Sequence, residues 1–344
     1  MANLLRSITF SAAALLALAP AELCGQVKTK PKATPRSTPA AATPKAVPAG
    51  KYHLLEEGEL PIGSVGAIVL DAYTGEPLYE KGADLPLYPA STTKIMTALL
   101  VIESGNLDRE VEIAVEDSKV GESSLSILPG ERITRRQMLY GLMLKSANDV
   151  AHALGRDNAG TMEAFAEKMT QRARELGAVN TSFRNPHGLH HVQHVTTARD
   201  LAIIGRAAMA QPYFRQIAGS KSYNWTRLRQ IPAATPAPAR GRKAVVLATA
   251  TPEPVLPPGP PVPQIWALRN HNRLLFEFPG CTGVKTGFTN PAQHTLVTAA
   301  LRGGREVIAA VMKGSRAGKW EDSRLLLTYG FEHPAGSGKP VPKF

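Results

Sequence analysis

The stretch Pro89-Ala90-Ser91-Thr92-Thr93-Lys94, followed by Ile95-Met96-Thr97-Ala98-Leu99-Leu100-Val101-Ile102, predicts a buried helix with a nucleophile at its start. Seven of the eight residues in the second part are apolar, and they include no turn former. Pro89 disfavours helix just before Ser91, so the helix is expected to begin near Ser91. A helix that is apolar on all sides belongs in the protein interior. The rest of the chain is therefore expected to pack around it.

Ser91 and Lys94 are three positions apart, which puts their side chains on one face of the first helical turn. Burial disfavours a charged ammonium and lowers its pKa, so Lys94 is a candidate base for the Ser91 hydroxyl proton. The helix N-terminus adds partial positive charge that favours negative charge developing on an attacked carbonyl. The alternative is that Ser91 caps the helix and Lys94 points into solvent, and this short S-x-x-K pattern alone does not decide between them.

Composition and charge restrict the partners of the chain. Its 344 residues with 43% hydrophobic content are enough for one large domain or two ordinary ones. The net charge of +12 is concentrated in two runs without acidic residues, 27–51 and 227–243. The sequence has no basic helix with interleaved aromatic residues, so no nucleic-acid partner is predicted. The basic runs either keep loose segments soluble or make weak contact with anionic wall polymer or membrane headgroups.

The start of the sequence predicts export. Residues 1–21 have a short n-region with Arg6, an apolar run and the small-x-small pattern Ala19-Pro20-Ala21, which indicate a signal peptide. An uncleaved signal that serves as an anchor is the alternative. Residues 22–51 are rich in Pro, Ala, Thr and Lys and predict a disordered tether. The protein is therefore expected in the periplasm or on the extracellular, cell-wall side.

Apolar patterning predicts five strands in the remaining chain. They are Val65–Asp71, Pro77–Lys81, Cys281–Thr289, His294–Leu301 and Glu306–Met312. Turn signals at Thr74-Gly75-Glu76 and Gly303-Gly304 indicate that neighbouring strands form hairpins. The periodicity from Ser91 to about Ala218 is mostly helical, and residues 320–329 predict a last helix. The predicted fold is α+β, a five-stranded antiparallel sheet flanked by helices with an inserted mainly helical subdomain. It spans residues 52–333, and a tail of residues 334–344 follows.

Three helix starts are predicted inside the helical region, at Thr134, Thr161 and Thr197, from capping residues that precede apolar runs. The first helix is expected to reach Leu144. The polar break Lys145-Ser146-Ala147-Asn148-Asp149 separates it from the second. This break is either a simple turn with Asp149 as a cap or a segment that points a hydroxyl and an amide into a groove beside Ser91.

Three other segments can be interpreted as ordinary structural elements without a functional role. Residues 185–194 contain four histidines, but no cysteine or carboxylate stands at a matching spacing, so a surface loop is predicted and a metal site is not. The Pro-rich segment at about 230–263 predicts a disordered insertion. Lys285-Thr286-Gly287 alone reads as an edge strand with an exposed lysine, although Gly287 would let a substrate backbone approach closely.

The three short motifs occur together in the order Ser91-x-x-Lys94, Ser146-Ala147-Asn148 and Lys285-Thr286-Gly287. This set resembles the active-site motifs of the penicillin-recognising serine enzymes. The surrounding sequence, including Asn185-Pro186-His187-Gly188-Leu189, resembles the low-molecular-mass D-alanyl-D-alanine carboxypeptidases over about residues 52–333. The resemblance implies a β-lactamase/DD-peptidase-like fold, which agrees with the predicted strand order. Many relatives add a β-rich domain and an amphipathic helix, and the sequence after residue 333 predicts neither.

The resemblance also implies roles for individual residues. Ser91, Lys94 and Ser146 would be catalytic, and Asn148, Lys285, Thr286, Gly287, Phe288 and Thr289 would bind substrate. The substrate would be a peptidoglycan stem peptide that ends in D-Ala-D-Ala, and β-lactam antibiotics would be covalent inhibitors. Lys285 and Thr286 would bind the terminal carboxylate, and the backbone N–H groups of Ser91 and Phe288 would form an oxyanion hole. No metal or organic cofactor is expected.

Three related activities remain as alternatives. A class A-like β-lactamase would need a glutamate in a Glu-x-x-Leu-Asn loop, and the sequence has no such run. A non-catalytic penicillin-binding sensor domain would normally need a transmembrane relay, and none is evident in the sequence. An endopeptidase that cuts crosslinks is the third alternative, and the motifs do not distinguish it from a carboxypeptidase.

Overall fold

A five-stranded antiparallel sheet with helices on both faces forms the body of the protein in the computed structural model, which describes residues 59–229 and 262–336. In chain order these residues form β1 (Gly66–Asp71), β2 (Pro77–Lys81), α1 (Lys94–Glu103), β3 (Glu110–Glu112), β4 (Arg132–Thr134), α2 (Arg135–Tyr140), α3 (Asn148–Ala159), α4 (Met162–Glu175), α5 (Ala198–Ala210), α6 (Pro212–Gly219), β5 (Ser222–Arg229), β6 (Val262–Arg269), α7 (Leu274–Glu277), β7 (Cys281–Thr289), β8 (Gln293–Arg302), β9 (Arg305–Gly314) and α8 (Gly318–Glu332). The predicted signal peptide and tether lie outside the described residues, as do residues 230–261 of the insertion and 337–344 of the tail.

The strand order in the sheet is β2-β1-β9-β8-β7, and every neighbouring pair is antiparallel. This confirms the five predicted strands and the α+β class. Side chains alternate between the two faces of β9: Val307, Ala309 and Val311 pack in one apolar cluster with α8, and Ile308 and Ala310 pack in the other with α1 and α5. Both faces are therefore covered, which explains the nearly continuous apolar sequence of the central strands.

The predicted helix starts are confirmed by their caps. The hydroxyls of Thr134, Thr161 and Thr197 each accept a hydrogen bond from the backbone N–H three residues later. A 3-10 turn, Ala90–Thr93, precedes α1, so the regular helix begins three residues after Ser91. Among the described residues, no helix has the length and apolar character needed to cross a bilayer.

Two predictions need correction. The first helix of the helical region does not run unbroken to Leu144, because α2 ends at Tyr140 and a π-helical turn, Gly141–Lys145, follows it. Only Ser146 and Ala147 separate this turn from α3, which lies in the region predicted to be mostly helical but begins inside the predicted polar break. The hairpin of β5 and β6 was not predicted. Val262 and Pro263, assigned above to the Pro-rich insertion, lie in β6 because they pair with the end of β5.

Candidate active site

Ser91 lies in a 3-10 turn that is fixed from several directions. The hydroxyls of Thr92 and Thr93 donate to the carbonyls of Pro89 and Ala90, at 2.7 and 2.8 Å. Thr295 on β8 donates to the same Pro89 carbonyl at 3.0 Å, which ties the turn to the sheet. These bonds hold the Ser91 backbone in place, so its hydroxyl points from a rigid element.

Lys94 is completely buried and faces Ser91. Its amine lies 3.0 Å from Ser91 Oγ, and it donates to Asn148 Oδ1 at 2.7 Å and to the His187 carbonyl at 2.6 Å. Burial lowers the pKa of Lys94 well below its usual value, and the positive charge of Lys285 lowers it further. Its hydrogen-bond partners are all neutral, so they do not oppose the loss of the proton as a bonded carboxylate would.

Ser146 and Asn148 lie at the junction between the π-helical turn and α3. Ser146 has left-handed backbone angles, φ 64° and ψ 32°, which end the turn and leave its side chain only 7% exposed. The Asn148 backbone N–H donates to the Ser123 carbonyl at 2.7 Å, and its side-chain amide donates to the Gly121 carbonyl at 3.0 Å. Asn148 thus connects Lys94 to the loop of residues 121–127.

Asp149 organises that loop and was considered above only as a cap. Its buried carboxylate accepts a hydrogen bond from the Ser124 hydroxyl at 2.6 Å. It also accepts bonds from the backbone N–H groups of Leu125 and Ile127. The charge is therefore satisfied by fixed donors, and residues 121–127 are held beside Ser146 and Asn148.

Strand β7 passes directly beside the Ser91 turn. A methyl group at Gly287 would lie 2.9 Å from the Ser91 backbone nitrogen and 2.3 Å from Thr295 Oγ1, so only glycine fits here. The next residue, Phe288, is 48% exposed. Thr289 Oγ1 accepts the Ala292 N–H at 3.3 Å and so contributes to the turn that leads into β8.

A group of buried cations adjoins β7. Lys285 is 2% exposed and donates to the Thr286 carbonyl at 2.9 Å, and burial with the charge of Lys319 lowers its pKa to about 7. Burial also lowers the pKa of Lys319 to about 8. The Lys319 amine lies 3.1 Å from Nδ1 of His294 on β8. The two lysines make the groove beside Thr286 electropositive, and the sequence analysis did not include Lys319.

Residues of all three motifs therefore lie together, as the resemblance implied: Lys94 contacts both Ser91 and Asn148, and Gly287 lies beside the Ser91 backbone. Residues 56–235 and 262–316 match the family described as D-alanyl-D-alanine carboxypeptidase. The chain belongs to this family. A D-alanyl-D-alanine carboxypeptidase of Mycobacterium tuberculosis is 32% identical over 283 residues, which cover 80% of this chain and 85% of that protein. The homologous enzyme of Bacillus subtilis is 32% identical over 265 residues, and the chain spans 59% of its length.

Solved structures agree with the family assignment. The crystal structure of a Streptomyces DD-transpeptidase superposes with a TM-score of 0.66 at 30% identity, covering 79% of this chain and 98% of that one. A D-alanyl-D-alanine endopeptidase of Pseudomonas aeruginosa is 36% identical over 173 residues, half of this chain. The superposition on the Streptomyces enzyme shows the DD-peptidase fold. Membership of the carboxypeptidase family identifies the chain as a serine peptidase.

The histidine-rich loop has a structural role that the sequence analysis missed. His194 was expected on a surface loop, but it is buried, with Nε2 2.8 Å from Thr93 Oγ1 and Nδ1 accepting the Arg184 N–H. Gly188, with φ +87°, brings the loop so close that a methyl group there would lie 1.9 Å from the Ala90 carbonyl oxygen. The loop therefore supports the Ser91 turn. No cluster of metal-ligating side chains occurs in residues 59–229 and 262–336.

Proposed function

We propose that this member of the family is a serine D-Ala-D-Ala carboxypeptidase that removes the terminal D-alanine from peptidoglycan stem peptides. The observation that carries the proposal is the contact between Ser91 Oγ and the buried Lys94 amine, 3.0 Å apart. Burial lowers the pKa of Lys94 well below its usual value, which favours the neutral amine that can accept a proton. The hydroxyl then donates to the amine, and its oxygen becomes the nucleophile.

In the acylation step, Ser91 Oγ attacks the carbonyl carbon between the two D-alanines while Lys94 takes the hydroxyl proton. The backbone N–H groups of Ser91 and Phe288 stabilise the negative oxygen of the tetrahedral intermediate. The close approach of Gly287 to the Ser91 nitrogen supports this pairing of donors from β7 and the turn. Ser146 donates its hydroxyl proton to the leaving amine and receives in its place the proton that Lys94 took from Ser91, so free D-alanine departs and Lys94 is neutral again.

In the second step, water attacks the ester carbonyl of the acyl-enzyme on Ser91. Lys94 takes a proton from the water and returns one to Ser91 Oγ, which releases the shortened peptide and restores the free enzyme. In this scheme the Lys94 amine is the base that activates the attacking water. A β-lactam forms the same ester with Ser91 and is therefore a covalent inhibitor.

Substrate recognition rests on the groove between β7 and the Asn148 side of the site. Lys285 and Thr286 bind the terminal carboxylate, and the charge of Lys319 strengthens the local positive field. Gly287, Phe288 and Thr289 line the strand against which the peptide lies, and Asn148 holds the peptide backbone on the opposite side. These charges explain a preference for a free C-terminal carboxylate.

The location of the protein follows from its substrate. We propose that residues 1–21 are a signal peptide, that 22–51 tether the catalytic domain (52–333, with the Pro-rich insertion), and that the enzyme acts in the periplasm or on the cell-wall side. The basic runs 27–51 and 227–243 would then make weak contact with anionic wall polymer or membrane. An uncleaved signal would keep the enzyme at the membrane.

The proposal is tested by measuring D-alanine release and penicillin labelling in the same preparations. The protein should release D-alanine from a diacetyl-L-lysyl-D-Ala-D-Ala peptide and be labelled by fluorescent penicillin at Ser91, as mapped by mass spectrometry. Ser91→Ala should lose both, and Ser104→Ala, at the end of α1, should retain them. Rapid penicillin turnover without D-alanine release would instead assign a β-lactamase. Labelling without turnover of either compound would assign a sensor, and preferential cleavage of crosslinked peptides an endopeptidase.

A further inference from the structure

The 121–127 loop beside Asn148 is held by two charged side chains from different elements. From α3, the Asp149 carboxylate accepts the backbone N–H groups of Leu125 and Ile127. From β5, the Arg227 guanidinium donates to the carbonyls of Leu125 and Ser126, at 2.9 Å each. Both polar groups of the Leu125 backbone are therefore bound, the N–H by a carboxylate and the carbonyl by a guanidinium.

Arg227 is buried, and its charge is paired. Its side chain is only 3% exposed, and it donates to both carboxylate oxygens of Glu131 at 2.6 Å. The guanidinium carbon also lies 5.3 Å from the centre of the Trp266 ring on β6. In the sequence Arg227 belongs to the basic run 227–243, and nothing there indicates these partners. The ion pair allows the guanidinium to be buried and to use further N–H groups on the loop.

Strand β5 gives Arg227 a rigid support. Alternate residues of a strand share a face, so Tyr223, Trp225 and Arg227 lie on the same side of β5. Trp225 is fully buried, and a methyl group at Gly141 in the π-helical turn would lie 2.6 Å from its ring. The Tyr223 ring stacks on the ring of Tyr140 in α2, with centroids 3.9 Å apart. The hairpin is thus fixed to α2 and to the π-helical turn.

The loop needs support from outside because its backbone conformation is costly. Glu122 and Ser126 have left-handed φ angles of 65° and 53°, which are unfavourable for residues with a Cβ atom. The carbonyls of Gly121 and Ser123 accept the side-chain and backbone N–H groups of Asn148. A displaced loop would therefore leave the Asn148 amide without its acceptor.

We infer that Arg227 is a positioning residue that fixes the 121–127 loop and, through the loop, the Asn148 side chain. The inference rests on the proposed function. With the loop in place, the Gly121 carbonyl accepts from Asn148 Nδ2, and Asn148 Oδ1 faces the Lys94 amine at 2.7 Å. This contact orients the amine that takes the Ser91 proton. Arg227 itself acts only through this chain of contacts.

The test replaces Arg227 by lysine, which keeps a charge beside Glu131 but cannot bind the carboxylate and both loop carbonyls with one amine. In Arg227→Lys we expect the backbone amides of residues 121–127 to exchange hydrogen at least about tenfold faster, as measured by mass spectrometry of peptides that cover the loop. The kcat for D-alanine release from the diacetyl-L-lysyl-D-Ala-D-Ala peptide, expressed per penicillin-labelled site, should fall roughly tenfold. The KM should stay within about twofold of the wild-type value, because Lys285 and Thr286 still bind the terminal carboxylate.

The variant Glu131→Gln separates positioning from stability. It leaves the Arg227 charge buried without its carboxylate, so the melting temperature should fall at least as much as in Arg227→Lys. The guanidinium keeps its bonds to the two carbonyls, so the loop exchange and the kcat per labelled site should stay within about twofold of the wild-type values. The matched control Arg132→Lys changes an exposed arginine of β4 that pairs with Glu110, and it should leave all these measurements unchanged.

A second variant keeps the test decisive if Arg227→Lys does not fold. The double variant Arg227→Gln/Glu131→Gln leaves no unpaired charge in the interior. The shorter amide at position 227 cannot bridge both loop carbonyls, so this variant should also show faster loop exchange and a lower kcat per labelled site.

Wild-type loop exchange in the folded Arg227 variants would overturn the inference, and so would a wild-type kcat per labelled site. An equal fall in kcat for Glu131→Gln would also overturn it, because stability and not the carbonyl contacts would then control the rate. In each of these cases the wild-type protein still releases D-alanine, so the proposed function stands. Absence of D-alanine release from the wild-type protein would overturn the proposed function and this inference together.

Discussion

The amine of Lys94 and the side-chain oxygen of Asn148 lie 2.7 Å apart inside the protein, on helices that are far apart in sequence. An amide accepts this hydrogen bond without a charge, so the ammonium form of Lys94 gains little stabilisation from it. We therefore expect that a charge placed at residue 148 would change the pKa of Lys94, and with it the pH dependence of the reaction proposed for Ser91.

In Asn148→Asp a carboxylate would replace the amide and raise the pKa of Lys94, because an opposite charge favours the ammonium form. Because we propose that the neutral Lys94 amine is the base, we expect the acid limb of the rate of penicillin acylation to move to higher pH by more than about one unit. Asn148→Ala should slow acylation without this shift. Asn158→Asp, at the exposed end of the same helix, is the control and should leave the profile in place; an unshifted limb in Asn148→Asp would contradict the role of Lys94 as base.

Asp149→Asn should destabilise the protein and slow catalysis at the same time. The substituted amide offers only one acceptor oxygen and places N–H donors against those of Leu125 and Ile127, so the free energy of unfolding should fall by about 2 kcal/mol. Urea unfolding measures this loss, and D-alanine release reports the displaced loop. The control Asp108→Asn removes an exposed partner of Arg136 and should cost less than about 1 kcal/mol. Equal costs would show that Asp149 does not organise the loop.

Lys285→Met should abolish D-alanine release and yet stabilise the protein in mildly acidic solution. The folded-state pKa of Lys285, about 7, lies below the ordinary value of 10.5, so between these two values the unfolded chain binds the extra proton. Lys285 therefore makes the free energy of unfolding of the wild-type protein increase with pH in this range. The variant lacks this increase. The stability advantage of the variant should shrink by about 2 kcal/mol between roughly pH 6 and pH 9. Lys168→Met, on the surface, should show no such pH dependence. If the stability difference between Lys285→Met and the wild type were the same at every pH, the lowered pKa of Lys285 would be disproved.

Gly188→Ala should disturb the Ser91 turn from outside. The added methyl group would collide with the Ala90 carbonyl, so the loop and the turn must move apart, and we expect a loss of more than about 3 kcal/mol together with slower penicillin labelling. Gly105→Ala also changes a glycine with positive φ, but it faces open space and should cost only about 1 kcal/mol. Wild-type labelling by a folded Gly188→Ala protein would argue against support of Ser91 by this loop.

The sequence was most informative where one short segment determines its own structure. The strands of the two hairpins carry β-branched residues around glycine turns, and the capping threonines precede apolar helices, so both could be located before the fold was known. The start of α3 could not be located in this way, because Ser146-Ala147-Asn148-Asp149 has the composition of a turn. Its helical continuation depends on the fit of Asn148 and Asp149 to the 121–127 loop.

Long-range contacts explain the other differences. The partner of β5 lies beyond the Pro-rich segment, so no local signal indicated the hairpin. His194 has the sequence context of a surface loop, and its burial depends on Thr93, which lies 101 positions earlier. Lys319 lies two strands after Lys285 in the sequence, and nothing in the sequence of α8 indicates that its amine lies beside His294 and lowers the pKa of Lys285. Contacts between residues that are distant in sequence and carry no local signal can be identified only from the folded structure.

The central position of β9 has a consequence for how the protein is made. This strand is the last of the sheet to leave the ribosome, and it lies between β1 and β8. A nascent chain that ends before Gly314 therefore lacks the partner against which β1 pairs, and the first hairpin must wait for most of the polypeptide to be synthesised. Such distant pairing is slow to form. The Ser91 turn, which is tied to β8 through Thr295, accordingly lies beside a complete sheet only after nearly the whole domain has been synthesised.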